Sequence, residues 1–260
     1  MMTTRRTVLT GAIGAAALAT SSTPASAQIA PRTFVLIHGA WGGGWVWRRL
    51  ADLLEKAGHK VFTPTLTGLG ERSHLLNAQV NLTTHVTDVA SVIKWERLDD
   101  IVLVGHSYGG MVITGVAEQA EMAIASIVFL DAFVPENGQA LADIAPGPAG
   151  LVRTARERGQ IAVPPLSAES FRVNEKDRAW IDAMCTPHPI ATFTEKLVVT
   201  GARERFAKKA YVRASGYPSA PLDAAYAKCR AAGWRTHEMP CGHYVMVDLP
   251  EGLAEILLQA

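Results

Sequence analysis

Ser107 stands in Gly105-His106-Ser107-Tyr108-Gly109, directly after the apolar run "IVLV" and directly before a segment of helical composition. A G-x-S-x-G pattern in that context predicts a sharp strand-to-helix turn that exposes the serine hydroxyl, with small neighbours letting strand and helix approach each other. Gly105, Gly109 and Gly110 are those neighbours, and the N-terminus of the following helix favours developing negative charge. A nucleophilic serine is preferred over a purely structural elbow. Nucleotide binding is disfavoured, because neither G-x-G-x-x-G nor G-x-x-x-x-G-K-[ST] follows the first predicted strand.

A serine hydroxyl is a weak nucleophile at neutral pH and needs a base within reach. Among eight histidines, only His243 lies between the last predicted strand and the last predicted helix, in a Gly-His turn. His38 closes the first strand beside Gly39 and reads as shaping that loop. His59, His74, His85, His188 and His237 read as surface, loop or insert residues, and His106 precedes the serine and points away from it. An oxyanion needs two preorganised N–H donors. Tyr108, after the serine, supplies one, and Ala40, in the loop His38-Gly39-Ala40-Trp41, supplies the other.

The carboxylate behind the base is less sharply marked. Asp131 ends the fourth predicted strand, in "FLDAF", and is preferred; Asp223 falls within a predicted helix and stays as the alternative, while Asp248 follows the base too closely. Trp41, Trp45 and Trp47 read as core, with Trp41 beside Ala40 facing the cleft. Glu71, Arg72 and His74 lie on the same face, as substrate contacts or as an ion-paired loop.

These positions require a particular scaffold. "RTFVLIH" reads as a buried strand, and "GWVWRRLADLLEKAG" as a helix with one apolar face and Gly58 as its stop. "HKVFTPTL", "IVLVGH", "ASIVFLDAF", "KKAYVRAS" and "WRTHEMP" are five further strands; residues 82–96, 107–120 and the C-terminal segment are helical, and "TGLGERSHLLNAQVN" is a long polar loop. Strands apolar on both faces, alternating with helices, predict an α/β fold with a doubly wound, mostly parallel sheet. The alternation breaks over residues 135–205, too long for an ordinary connection, and this span is expected to be a lid inserted between the fourth and fifth of the strands that alternate with helices.

With 260 residues, 48% apolar and 19% charged, the chain can bury a sizeable core. A formal net charge of +1 without long charged runs gives no footprint for nucleic acid or anionic lipid, so a small-molecule partner is expected. The odd set Cys185, Cys229 and Cys241 has no metal-ligand spacing and reads as small buried hydrophobes. Residues 1–27 carry Arg5 and Arg6, a weakly apolar Gly/Ala stretch and Ala25-Ser26-Ala27, the layout of a bacterial twin-arginine export signal cleaved after Ala27. The apolar stretch is too short for a transmembrane anchor. A periplasmic or secreted domain over residues 28–260 follows as the expectation.

"FVLIHGAWGGGWVW", "TPTLTGLGERSHLL", "VLVGHSYGGMVI", "LDAFVPENGQ" and "CGHYVMVDLPE" together resemble the α/β-hydrolase superfamily, in particular small bacterial esterases of the pyrethroid and carbamate hydrolase type. More distantly the chain is similar to plant methylesterases and hydroxynitrile lyases. The resemblance implies cofactor-free acyl transfer through an acyl-enzyme, with Ser107 as nucleophile, His243 as base and then acid, and the Ala40 and Tyr108 amides as oxyanion hole. It also marks a departure, since the family's usual acid position after the next strand, in "YVRASGYPSAPLD", holds no carboxylate before Asp223. The lyase branch has threonine where this chain has Gly39, and lysine where it has Tyr244, so hydrolysis is favoured. An uncharged, hydrophobic ester is the expected substrate; an amide or carbamate, or a non-catalytic ligand-binding role, is the alternative.

Overall fold

The computed structural model describes residues 1–4, 7 and 30–260, so the predicted signal at 1–27 lies outside the described residues apart from isolated positions. Pro31–Ala260 forms one compact unit. Within it, β1 (Thr33–Ile37), β2 (Lys60–Phe62), β3 (Ile101–His106) and β4 (Ile124–Leu130) alternate with α1 (Arg48–Lys56), α2 (Leu82–Trp95) and α3 (Gly109–Ala120). The chain then runs through α4 (Leu141–Ile144), α5 (Pro146–Glu157), β5 (Ala162–Val163), α6 (Glu175–Met184), β6 (His188–Pro189), α7 (Ile190–Thr194) and α8 (Ala202–Arg205). It returns to the sheet with β7 (Lys208–Ala214), α9 (Ala220–Ala231), β8 (Arg235–Met239), α10 (Val245–Asp248) and α11 (Pro250–Leu258).

Six strands form one parallel sheet in the order β2-β1-β3-β4-β7-β8. This is the doubly wound arrangement expected from the sequence. Burial explains why the pattern was readable: every residue of β3 is buried, whereas the edge strands β2 and β8 are largely half-exposed. In one row of the sheet Phe62, Val35, Leu103 and Ile127 stand side by side on adjacent strands. That register brings the carboxyl ends of β1, β3, β4 and β7 to the same side, where ligands bind in such sheets.

Local signals fix the helix ends. Asn81 caps α2, its Oδ1 accepting from Thr84 N–H at 2.9 Å, while Thr84 Oγ1 accepts from Asn81 N–H. Past α1, Gly58 takes φ +90°, the left-handed stop predicted for it. The polar loop after β2 differs from expectation in containing a 3₁₀ turn, Gly70–Leu75. Arg72 in that turn reaches back to Thr65 O and to Asp88, an ion pair that ties the loop to α2.

Between β4 and β7 the insert carries five helices and the antiparallel pair β5–β6. It is fastened to the core by a polar clasp: Arg49 of α1 makes a bidentate pair with Asp177 of α6 at 2.7 and 2.6 Å, and Asn174 Nδ2 donates to Asp248 of α10 at 2.6 Å. Asp248, the acid least favoured from the sequence, is thus part of the fastening. Among the described residues, no helix is long and apolar enough to cross a membrane.

Candidate active site

Ser107 follows β3 with φ +56°, a strained setting for a residue with a side chain. The elbow is possible because its neighbours lack one: a Cβ on Gly105 would lie 2.6 Å from Gly109 O, and one on Gly110 would lie 2.1 Å from Phe133 O. The Ser107 carbonyl accepts from Gly110 N–H at 3.0 Å and Phe133 N–H at 3.2 Å, which stitches the elbow to the segment leaving β4.

That segment begins with Asp131, fully buried and also left-handed at φ +44°. Its Oδ2 lies 2.6 Å from Nδ1 of His243, in the turn between β8 and α10. A carboxylate at Nδ1 leaves Nε2 for the other side of the ring. Among the described residues, neither His243 Nε2 nor the Ser107 hydroxyl has a protein hydrogen-bond partner. Ser107 and His243 line one cavity of about 80 Å³ together with Ala40 and Tyr108. Asp223 does not pair with His243; its side chain is 63% exposed and pairs with Arg213 at 2.8 Å.

The two backbone donors expected for an oxyanion sit at this cavity. Among the described residues, the N–H groups of Ala40 and Tyr108 have no acceptor, although both residues are buried. Buried N–H groups are rarely left unpaired. Next to Ala40, Trp41 has φ +62° and is held at three points by the insert. Its N–H donates to His188 Nδ1 at 3.2 Å, its carbonyl accepts from Thr186 N–H at 3.0 Å, and its indole N–H donates to Val163 O at 3.1 Å.

The insert also holds His243. Phe171 stacks on the His243 ring with centroids 5.4 Å apart, and its carbonyl accepts His243 N–H at 2.9 Å. Beneath His243, the His106 ring donates from Nε2 to His243 O at 2.9 Å, so His106 supports His243 and is not part of the cavity lining.

Two histidines depart from the expected placement: His85 is fully buried on α2, and His237 lies on β8. His188 lies in the insert and His59 between α1 and β2, within the expected range, though both are buried. His85 Nε2 donates to Thr67 O and its Nδ1 accepts from the Tyr108 hydroxyl at 2.9 Å; His188 accepts from Trp41 N–H and donates from Nε2 to Thr192 Oγ1 at 2.8 Å. His38 shapes its own loop, donating from Nδ1 to Gly39 O and accepting Leu66 N–H at Nε2. Burial pushes His38 and His85 down to about 4, and His106 and His188 well below the ordinary histidine value.

The cavity wall is apolar. Trp41, Leu141, Leu151, Phe171 and Phe193 are part of it, and among the described residues no lining side chain is acidic, lysine or arginine. Trp47 is fully buried core and Trp45 packs against Trp180 at 5.2 Å, while Glu71, Arg72 and His74 are not part of the lining. Cys229 is buried and Cys185 and Cys241 are half-buried, all as free thiols. Among the described residues, no group of three His, Cys, Asp or Glu side chains is arranged to hold a metal ion.

A doubly wound parallel sheet with a serine elbow at the end of its third strand, and a histidine–aspartate pair beside it, defines a class. The chain belongs to the alpha/beta hydrolase family, whose profile matches residues 34–256. Within that family it is 43% identical over 236 residues, 86% of this chain and 97% of the other, to a carbendazim hydrolyzing esterase of Nocardioides sp. (strain SG-4G). Over 105 residues, 40% of each chain, it is 37% identical to salicylic acid-binding protein 2 of Nicotiana tabacum. An extracellular alpha/beta-hydrolase from a Paenibacillus species superposes with a TM-score of 0.76 at 29% identity, covering 88% of this chain and 99% of that one.

Proposed function

We propose that the chain is a serine carboxylesterase hydrolysing uncharged, apolar esters through an acyl-enzyme. The observation that carries this reading is the convergence, on one small cavity, of a strained serine, two unspent backbone N–H groups and a histidine hydrogen-bonded to a buried aspartate. In the first half-reaction Ser107 Oγ attacks the ester carbonyl as its proton passes to His243 Nε2. The carbonyl oxygen becomes an oxyanion facing the Ala40 and Tyr108 amides, and its collapse expels the alcohol, which takes the proton from His243. In the second, His243 deprotonates a water that attacks the acyl carbon; collapse of this second oxyanion breaks the acyl–Oγ bond, releases the carboxylic acid, and the proton returning from His243 restores Ser107.

The apolar lining supports an uncharged substrate, and the similarity to an esterase over nearly its whole length supports ester cleavage. Amide and carbamate hydrolysis would use the same groups; rates on matched p-nitrophenyl esters, anilides and carbamates separate them. The insert serves in this reading as the cover of the cavity. Arg5, Arg6 and the Ala25-Ser26-Ala27 ending support export as the route to the periplasm or medium. An organophosphonate is expected to label Ser107 stoichiometrically at neutral pH. Absence of label on Ser107 would leave a binding protein of this fold as the better reading.

The acid is tested by Asp131→Asn, which is expected to lower kcat by roughly 10⁴-fold, as an amide there stabilises the wrong imidazole tautomer. Asp223→Asn is expected to cost far less. The reverse ranking, read from kcat on one p-nitrophenyl ester, would make Asp223 the acid.

A further inference from the structure

Arg213 is a charged residue whose place no motif in the sequence announces. Its side chain is 5% exposed, on β7. Nη1 donates to Asp131 Oδ1 at 2.6 Å and to Ala214 O at 2.5 Å, Nη2 donates to Tyr217 O at 2.6 Å, and Nε donates to Asp223 Oδ1 at 2.9 Å. Ala214 N–H adds a second bond to the same Asp131 oxygen at 3.1 Å. Oδ1 of Asp131 is therefore fully engaged by β7, and Oδ2 alone is turned to His243.

The arrangement poses a problem of charge. A carboxylate taken out of water needs compensation, which the guanidinium gives. A neutral Asp131–Arg213 pair, however, offers an imidazolium little net attraction. Asp223 resolves this: Asp131, Arg213 and Asp223 together carry one net negative charge, which is cancelled when His243 takes up the serine proton. The other titratable groups facing the pair do not change charge near neutral pH. His106, 4.5 Å from His243 between ring centroids, is held neutral by burial, and burial pushes Tyr211, Tyr217 and Tyr244 upward and the Cys241 thiol up to about 12.

We propose that Arg213 is a positioning residue of the hydrolytic site: it anchors one oxygen of Asp131 so that the other faces His243, and Asp223 offsets its charge so that the cluster still favours the imidazolium. This rests on the assignment of Ser107, His243 and Asp131 made above. It also accounts for the absence of a carboxylate just after β7, since that strand supplies the anchor for an acid carried by β4.

The test is the pH profile of kcat/KM on a p-nitrophenyl ester for the wild type, Arg213→Met, Arg213→Lys and Asp223→Asn, with Ser107 labelling by an organophosphonate run alongside. Arg213→Met removes a positive charge from the field at His243, so the acidic limb moves upward by on the order of one pH unit. In the same variant kcat falls roughly 10- to 100-fold, the usual cost of losing a partner that orients a ligand or catalytic group. Arg213→Lys keeps the charge and loses the fork, so kcat falls while the limb stays near the wild-type position. Asp223→Asn, at an exposed position that leaves folding intact, moves the limb downward by a smaller amount. A merely structural Arg213 would lower activity without moving any limb. Limbs unmoved in both Arg213→Met and Asp223→Asn, or wild-type kcat in Arg213→Met, overturn the proposal. If Arg213→Met does not fold, Arg213→Lys and Asp223→Asn decide it on the same criteria. A labelled serine with unmoved limbs overturns the role of Arg213 alone, whereas an unlabelled wild-type serine overturns the esterase reading beneath it.

Discussion

Ser107→Ala is expected to lower kcat by roughly 10⁵- to 10⁶-fold, and adding His243→Ala to lower it hardly further. The expectation follows from the way the groups depend on one another. His243 Nε2 has no task without a hydroxyl to deprotonate, and the hydroxyl has no base once the imidazole is gone, so removing either abolishes one shared step. What survives is substrate binding in the apolar cavity and polarisation by the Ala40 and Tyr108 amides, which still favour attack by water. Stability should move the other way or not at all, because alanine at φ +56° carries the same backbone strain with less crowding. Single-turnover kinetics on a p-nitrophenyl ester, with binding of a non-hydrolysable ketone measured separately, would show kcat lost and affinity kept. A loss of less than about 10²-fold would point to another nucleophile.

The parts of this site that were legible in the sequence are those set by local chemistry. The elbow is written in consecutive residues, because Gly105 and Gly110 must be small wherever a helix leaves a strand so abruptly. His243 was legible through chain order, as the histidine between β8 and α10. Asp131 was legible only as a carboxylate at a strand end, and what distinguishes it from Asp223 is its contact with His243, 112 residues along the chain, since Arg213 binds both.

The insert was the least legible part. Its apolar and polar residues follow no long period, because its short elements are shaped by what they dock against. His188 touches Trp41 across 147 positions, and His243 N–H meets Phe171 O across 72. A histidine read in isolation is polar and assigned to the surface. Buried here, His85 pairs with the Tyr108 hydroxyl and Thr67 O, and His188, carried by the insert, pairs with Trp41 N–H and Thr192 Oγ1, the Trp41 contact existing only once the insert is seated. The insert holds Trp41 in its left-handed turn beside Ala40, and its Phe171 stacks on His243.

The same histidines make folding strongly dependent on pH. Each is neutral in the folded protein; His38, His85 and His188 have one nitrogen accepting and the other donating, so a second ring proton would oppose Leu66 N–H at His38 and Trp41 N–H at His188, and His106 donates from Nε2 to His243 O. In the unfolded chain each would protonate at about 6.5, the ordinary value. Between that pH and the lowered folded value, the unfolded state binds protons that the folded state does not, so stability falls as pH falls. Above about pH 7 both states are neutral and the four groups contribute no pH dependence. His38 and His85, held down to about 4, each remove about 3 kcal/mol between pH 6.5 and 4, and His106 and His188 add to this in the same direction. Domains have only about 5–15 kcal/mol to lose, so cooperative unfolding is expected between about pH 6 and 4. It precedes the loss of the Arg49–Asp177 clasp, because Asp177 is held down to about 2 by Arg49 and keeps its charge through that window. Urea titrations at half-unit pH steps should give a plateau above pH 7 and a slope between about 3 and 5 kcal/mol per pH unit near pH 5, the signature of two to four protons taken up on unfolding. A flat profile from pH 7 to 4.5 would mean that these rings are protonated in the folded protein and that the hydrogen bonds fixing the loop of residues 38–41 are not those described.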